Sequence, residues 1–171
     1  ASVASHERAC EIVLGIKDAA FQRIGDRLRA GEDVTEYEIQ RFIQEQFDQH
    51  GLVFDHGPIV AVNAHSGDPH YEPSAEEHAS IEAGDWVLID LWAKEPGDEG
   101  VYCDVTWCGY VGEDVPEHHQ EVFDTVLAAR DAAVAFVQGA WSRDEPMQGW
   151  QADRAARDVI DEAGYGDYFV H

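Results

Sequence analysis

Apolar side chains at Ile12, Val13, Ile16, Ala20, Ile24 and Leu28 recur with the 3.6-residue rhythm of an amphipathic helix over about His6–Ala30, which Gly31 ends. Thr35 and Glu38 form a capping box and Val34 can staple onto Ile39, so a second helix starts at Glu36 and runs through Phe42, Ile43 and Phe47 to Gly51. Pro58–Asn63 reads as a strand, and the polar stretch Ala64–Ala83 reads as a long loop, the kind that tends to carry function. Two β-rich runs follow, Asp85–Ala93 and Val101–Val111, joined by a generous turn over Lys94–Gly100. Pro116 opens a third helix, with Val122, Phe123, Val126, Val134 and Val137 on its expected buried side. A fourth spans about Met147–Ala163, with Ala152, Ala155, Val159 and Ile160 inward and Gly164 as its stop. Tyr168–His171 then begins like another strand and ends abruptly, as an element cut in the middle would. The order is that of an α+β domain, with no linker and no short repeat.

The strand Val87–Trp92 is apolar at both parities, which predicts burial on both faces, and Asp90 interrupts it. Asp104 interrupts the next strand in the same way. With a regular hairpin whose turn centres on Gly97, the two aspartates lie directly opposite each other, Cβ atoms roughly 4.5–5.5 Å apart. Like charges at that distance need a shared proton or a cation, and neither strand carries Lys or Arg. Oxygen ligands favour divalent ions such as Mn, Co, Zn or Mg; a protonated or water-solvated pair near a sheet edge is the alternative.

Composition narrows the partners. The chain has 171 residues with 35 Asp+Glu against 11 Lys+Arg, a formal charge of −24, so attraction to nucleic acid or anionic membrane is excluded. Only Lys17 and Lys94 are lysines, and the acids are spread through almost every segment, as expected of a protein adapted to a salt-rich cytosol or of an ordinary acidic one. No apolar run is long enough to span a bilayer and the first residues have no leader pattern, which predicts a cytoplasmic protein. Cys10, Cys103 and Cys108 suit free thiols better than a disulfide framework. Glu117-His118-His119 reads as a solvated helix start, because adjacent helical residues point about 100° apart. Cys103 and Cys108 point to opposite strand faces, and Ser66, Ser74, Ser80 and Ser142 lack a nucleophile-elbow context. His65 competes with His70 for a substrate role.

Gly84-Asp-Trp-Val-Leu-Ile-Asp90-Leu, Tyr102-Cys-Asp104-Val-Thr106, the upstream Pro69-His70-Tyr71 and the terminal Tyr168-Phe-Val-His171 together resemble the pita-bread metallopeptidases: methionine aminopeptidases, Xaa-Pro aminopeptidases, prolidases and creatinases. Pro69-His70-Tyr71 is closer to the prolidase and Xaa-Pro branch. The resemblance implies a pita-bread fold, here residues 1–115 as its first half and 116–171 as the start of its second. It implies Asp90 and Asp104 as metal ligands, Asp104 bridging or bidentate, and His70 and His171 facing a peptide substrate. In the complete protein it implies two divalent ions (Mn, Co or Zn) and hydrolysis of an N-terminal peptide bond before proline. The spacing of 14 residues between the aspartates is a few longer than usual for the family. A third ligand, a histidine four positions beyond the one matching His171, and two glutamates on later strands have no counterpart here. The expectation is therefore a partial catalytic domain, inactive alone, holding metal weakly if at all and prone to homo-oligomerise through an uncovered sheet; a non-catalytic binding domain is the alternative.

Overall fold

A computed structural model describes residues 2–169, which divide between Glu113 and Asp114 into two compact units. The first holds helices α1 (Ser2–Arg29) and α2 (Glu36–Gln49) and strands β1 (Ile59–Val62), β2 (Trp86–Ala93) and β3 (Cys103–Tyr110). The second holds α3 (Glu117–Ser142) and α4 (Gly149–Glu162). Among the described residues, no helix is long and apolar enough to cross a membrane.

The α1 stripe is buried as its periodicity requires, at Ala9, Val13, Ile16, Ala20 and Ile24, although the helix starts four residues earlier than the apolar pattern. At its end the Arg27 guanidinium donates to the Asp33 carbonyl (2.6 Å) and pairs with Glu32 and Glu38, closing the turn into α2. The capping box forms: the Glu38 N–H donates to Thr35 Oγ1 (3.2 Å), and the Thr35 N–H donates to Glu38 Oε2 (3.1 Å). Ile39, Ile43 and Phe47 of α2 are fully buried, each such side chain contributing about 1.5–3 kcal/mol by leaving water.

The sheet is antiparallel in the order β1-β2-β3. On β2 the alternation is clean: Val87, Ile89, Leu91 and Ala93 are buried, whereas Trp86, Leu88, Asp90 and Trp92 are half-buried. This corrects the expectation of burial on both faces, because only one face packs into the helical core. Helix α1 lies against β3, and Gly109 lets it come close. A Cβ at Gly109 would stand 2.8 Å from the Phe21 ring, so any side chain there would force that ring aside. Lys17 of α1 sits 4.1 Å from the centre of the Trp107 ring, and its ammonium pairs with Asp18.

In the second unit α3 packs on α4. The expected buried side of α3 is only partly realised: Phe123, Val126 and Val134 are exposed, Val122 and Val137 half-buried, and the fully buried positions are Ala129 and Ala140. Two helices present too little surface to bury a full apolar stripe. On α4, Ile160 is fully buried and Ala152, Ala155 and Val159 partly so. The strand expected from Tyr168 does not form over the described residues. Gly166–Tyr168 is a 3-10 turn, and Arg157 holds Phe169 through its carbonyl (3.2 Å) and its ring.

Candidate active site

Asp90 occupies the central strand, with Ile59 opposite it on β1 and Thr106 opposite it on β3. Asp104 lies opposite Trp92. The directly facing pair expected from a turn centred on Gly97 is therefore corrected: the register is shifted by two residues. The physical reason is the turn itself. Gly97 takes a left-handed φ of +98° and its carbonyl accepts from the Gly100 N–H (3.1 Å), so the extra residues are taken up on the Gly100 side. A shift of two preserves parity, so both carboxylates still share the half-covered face, now as diagonal neighbours roughly 7–8 Å apart.

Their environments differ. Asp90 is half-buried, and burial beside the apolar flank pushes its carboxyl above the ordinary value; the charge of Asp104 adds to the rise and the Thr106 hydroxyl, donating at 2.8 Å, opposes it. Asp104 is exposed, contrary to the burial expected for it, because β3 is the edge strand of this sheet. The raised value has a consequence for stability. Between the ordinary carboxylate value and the raised one, the folded state binds the proton that the unfolded chain has lost, so stability falls as pH rises through that window. Asp90→Asn is thus expected to make the metal-free protein more heat-stable at neutral pH and to flatten that slope. Calorimetry from pH 4 to 8 checks both.

His70 is exposed on the loop that leaves β1. Its N–H donates to Asp68 Oδ1 (2.9 Å), and the Tyr71 N–H donates to the Asp68 carbonyl (3.1 Å), a turn that sets the Pro69-His70-Tyr71 segment. The loop begins at Asn63, left-handed at φ +50°, whose side chain donates to Asp85 (2.7 Å) and accepts from the Trp86 N–H (2.9 Å). It is thereby tied to the start of β2, roughly 13 Å along the strand from Asp90. His171 lies outside the described residues. Among the described residues, no group of three or more His, Cys, Asp or Glu could hold a metal ion.

Sequence reasoning passed over Glu36, which it took only as the first residue of α2. Its carboxylate is fully buried and accepts from the N–H of Val62 (2.7 Å), the N–H of Ala79 (2.6 Å) and the Tyr71 hydroxyl (2.5 Å), with His65 Nδ1 at 2.9 Å. The rings of His65 and Tyr71 stack with centres 4.1 Å apart. No local signal distinguishes this residue from an ordinary acid in a helix's first turn.

Known proteins resemble this arrangement along the whole chain. The model of metallopeptidase family M24 matches residues 5–171. The Xaa-Pro dipeptidase of Pyrococcus furiosus is 32% identical over 165 residues, covering 96% of this chain and 42% of that protein. An X-Pro aminopeptidase from Thermotoga maritima superposes with a TM-score of 0.69 at 26% identity, covering 97% of this chain and 42% of its own. The Caenorhabditis elegans X-prolyl aminopeptidase, described as a cytosolic enzyme with a di-nuclear active site, shares the fold at a TM-score of 0.70 and 18% identity. The chain thus spans about two fifths of the curated relatives it matches, and its α+β architecture is that of pita-bread aminopeptidases. With two carboxylates on one face of an antiparallel hairpin and a Pro-His-Tyr loop upstream of them, the chain belongs to metallopeptidase family M24.

Proposed function

We propose that the complete gene product carrying this chain is a metal-dependent peptidase of the Xaa-Pro aminopeptidase or dipeptidase type, hydrolysing an N-terminal peptide bond before proline. The observation that carries this reading is the pair Asp90 and Asp104, sharing one sheet face in a chain of this family. Two hard oxygen donors without a Lys or Arg in either strand suit divalent cations such as Mn, Co or Zn, and Asp90, raised first by burial and further by the Asp104 charge, has no cation of the protein to offset either effect. Asp90 and Asp104 would hold the metals, which when bound lower the pKa of a water and polarise the scissile carbonyl. His70 would orient the peptide and donate to the charge developing on that carbonyl, a role its exposed position on an anchored loop allows. His171 is proposed for the same face of the substrate.

The test measures metal content of the purified complete gene product and its hydrolysis of an Xaa-Pro dipeptide beside the reversed Pro-Xaa sequence. Chelator-sensitive cleavage of the first, restored by Mn, Co or Zn, is expected. Bound metal without cleavage of any peptide would make the domain a binding module. The 171 residues alone are expected to bind these ions weakly and turn over nothing, since two carboxylates leave each ion under-coordinated. Turnover by the isolated chain with two bound ions would overturn that expectation.

A further inference from the structure

A helix-start acid usually stays in solvent, where it gains from the helix dipole at no desolvation cost. Glu36 does the opposite. It is buried completely, with the α2 N-terminus behind it and no Lys or Arg ion-pair partner among the described residues. Burying a charge in this way costs several kcal/mol unless every lone pair is used. Here the donors come from 26, 29, 35 and 43 residues away, at Val62, His65, Tyr71 and Ala79.

Those four points are the two ends and two interior positions of one segment. Residues 63–79 contain no strand or α-helix, only the 3-10 turn Asn63–Gly67, and the segment carries His70. Its far end is closed reciprocally, because the Glu36 N–H donates to the Ala79 carbonyl (3.0 Å) while Ala79 donates to the Glu36 carboxylate. Beside His70, the Tyr71 phenol is held above its ordinary value by burial first and by its bond to Glu36 second, so it stays a donor across the physiological range. His70 is therefore fixed on one side by its own N–H on Asp68 and on the other by a neighbour whose hydroxyl ends on Glu36. The carboxylate divides a long irregular loop into short spans, each with far fewer conformations to lose.

We infer that Glu36 is a positioning residue for hydrolysis, acting through His70: it gathers the 63–79 loop onto the start of α2 and so sets where the His70 imidazole meets the substrate. The inference rests on the peptidase reading above for its kinetic consequence, but the loop ordering stands on geometry alone. A carboxamide in place of the carboxylate turns one acceptor oxygen into a donor facing other donors, so Glu36→Gln keeps the shape and breaks the gathering.

The experiment uses the complete gene product loaded with Mn and an Xaa-Pro dipeptide, with Glu36→Gln made both in the native background and beside His70→Ala. In the native background kcat/KM is expected to fall about 100-fold, mostly in kcat, as a misplaced reacting group causes. Beside His70→Ala the same change is expected to cost less than about twofold, since the group it positions is gone. Equal losses in the two backgrounds, or no loss in the native one, would overturn the inference. Hydrogen exchange on the metal-free protein gives a readout independent of activity: amides of 63–79 should exchange at least about tenfold faster in Glu36→Gln, while those of α1 and β2 keep their protection. Should Glu36→Gln lose protection everywhere, Tyr71→Phe decides, since it removes one donor and leaves α2 intact. A fall of about tenfold in kcat/KM that vanishes beside His70→Ala supports positioning, and full activity opposes it. If the wild-type protein cleaves no peptide, the peptidase reading fails by itself. Unchanged protection of 63–79 in Glu36→Gln would then still overturn the positioning role.

Discussion

Replacing Asp104 by Asn in the complete gene product is expected to abolish metal-dependent turnover of an Xaa-Pro peptide, a loss of at least about 10³-fold, while leaving the protein folded. The two halves of this expectation have separate causes. Asp104 is exposed on β3 and is not part of the buried core, so an isosteric amide there disturbs no packing. Its charge, however, is one of two negative charges on that face of the hairpin, and an amide oxygen is a far poorer ligand for a hard cation. The variant also relieves Asp90 of one of the influences that raise its carboxyl, so Asp90 should titrate closer to its ordinary value. Steady-state kinetics beside metal analysis checks the first half, and the Asp90 carboxyl resonance followed against pH checks the second. Undiminished turnover would remove Asp104 from the site.

Melting temperature should climb steeply with salt. The formal charge of −24 leaves about two dozen acids without a basic counterpart. The basic residues are largely engaged close at hand, as in Arg29–Asp26, Arg130–Asp131, Arg154–Asp158 and Arg157–Asp153. These pairs are exposed or nearly so, and such pairs contribute at most about 1 kcal/mol each even at low salt. The unmatched acids repel one another through distances comparable with the Debye length, about 10 Å at 0.1 M and 3 Å at 1 M. Raising KCl to molar concentration therefore loses little from the pairs and removes most of the repulsion. The expected rise in melting temperature is on the order of 10 °C or more, read by calorimetry across a KCl series. A flat or falling curve would return the composition to that of an ordinary acidic protein.

What the sequence by itself determined was whatever depends on neighbours three or four positions apart, or on strand parity. The apolar stripe of α1, the Thr35–Glu38 box and the two β-rich runs joined by a turn into a hairpin are local, so they stand in the fold where the pattern put them. Parity also determined that Asp90 and Asp104 share a face, because a shift of two residues leaves every side chain on its own side. Which residue Asp90 faces was decided only in three dimensions. The long turn admits more than one centre, and the choice between them lies in the left-handed Gly97 and in how β3 seats against α1 through Gly109 and Phe21. Whether β2 is buried on one face or two likewise depends on what covers it, which apolar composition does not encode. Glu36 shows the limit most plainly: in sequence it is an acid in a helix's first turn, and in the fold it is the buried acceptor for four groups that lie 26 to 43 residues away. Hydrogen bonds across such separations leave no periodic trace, because they form only after packing has brought the segments together.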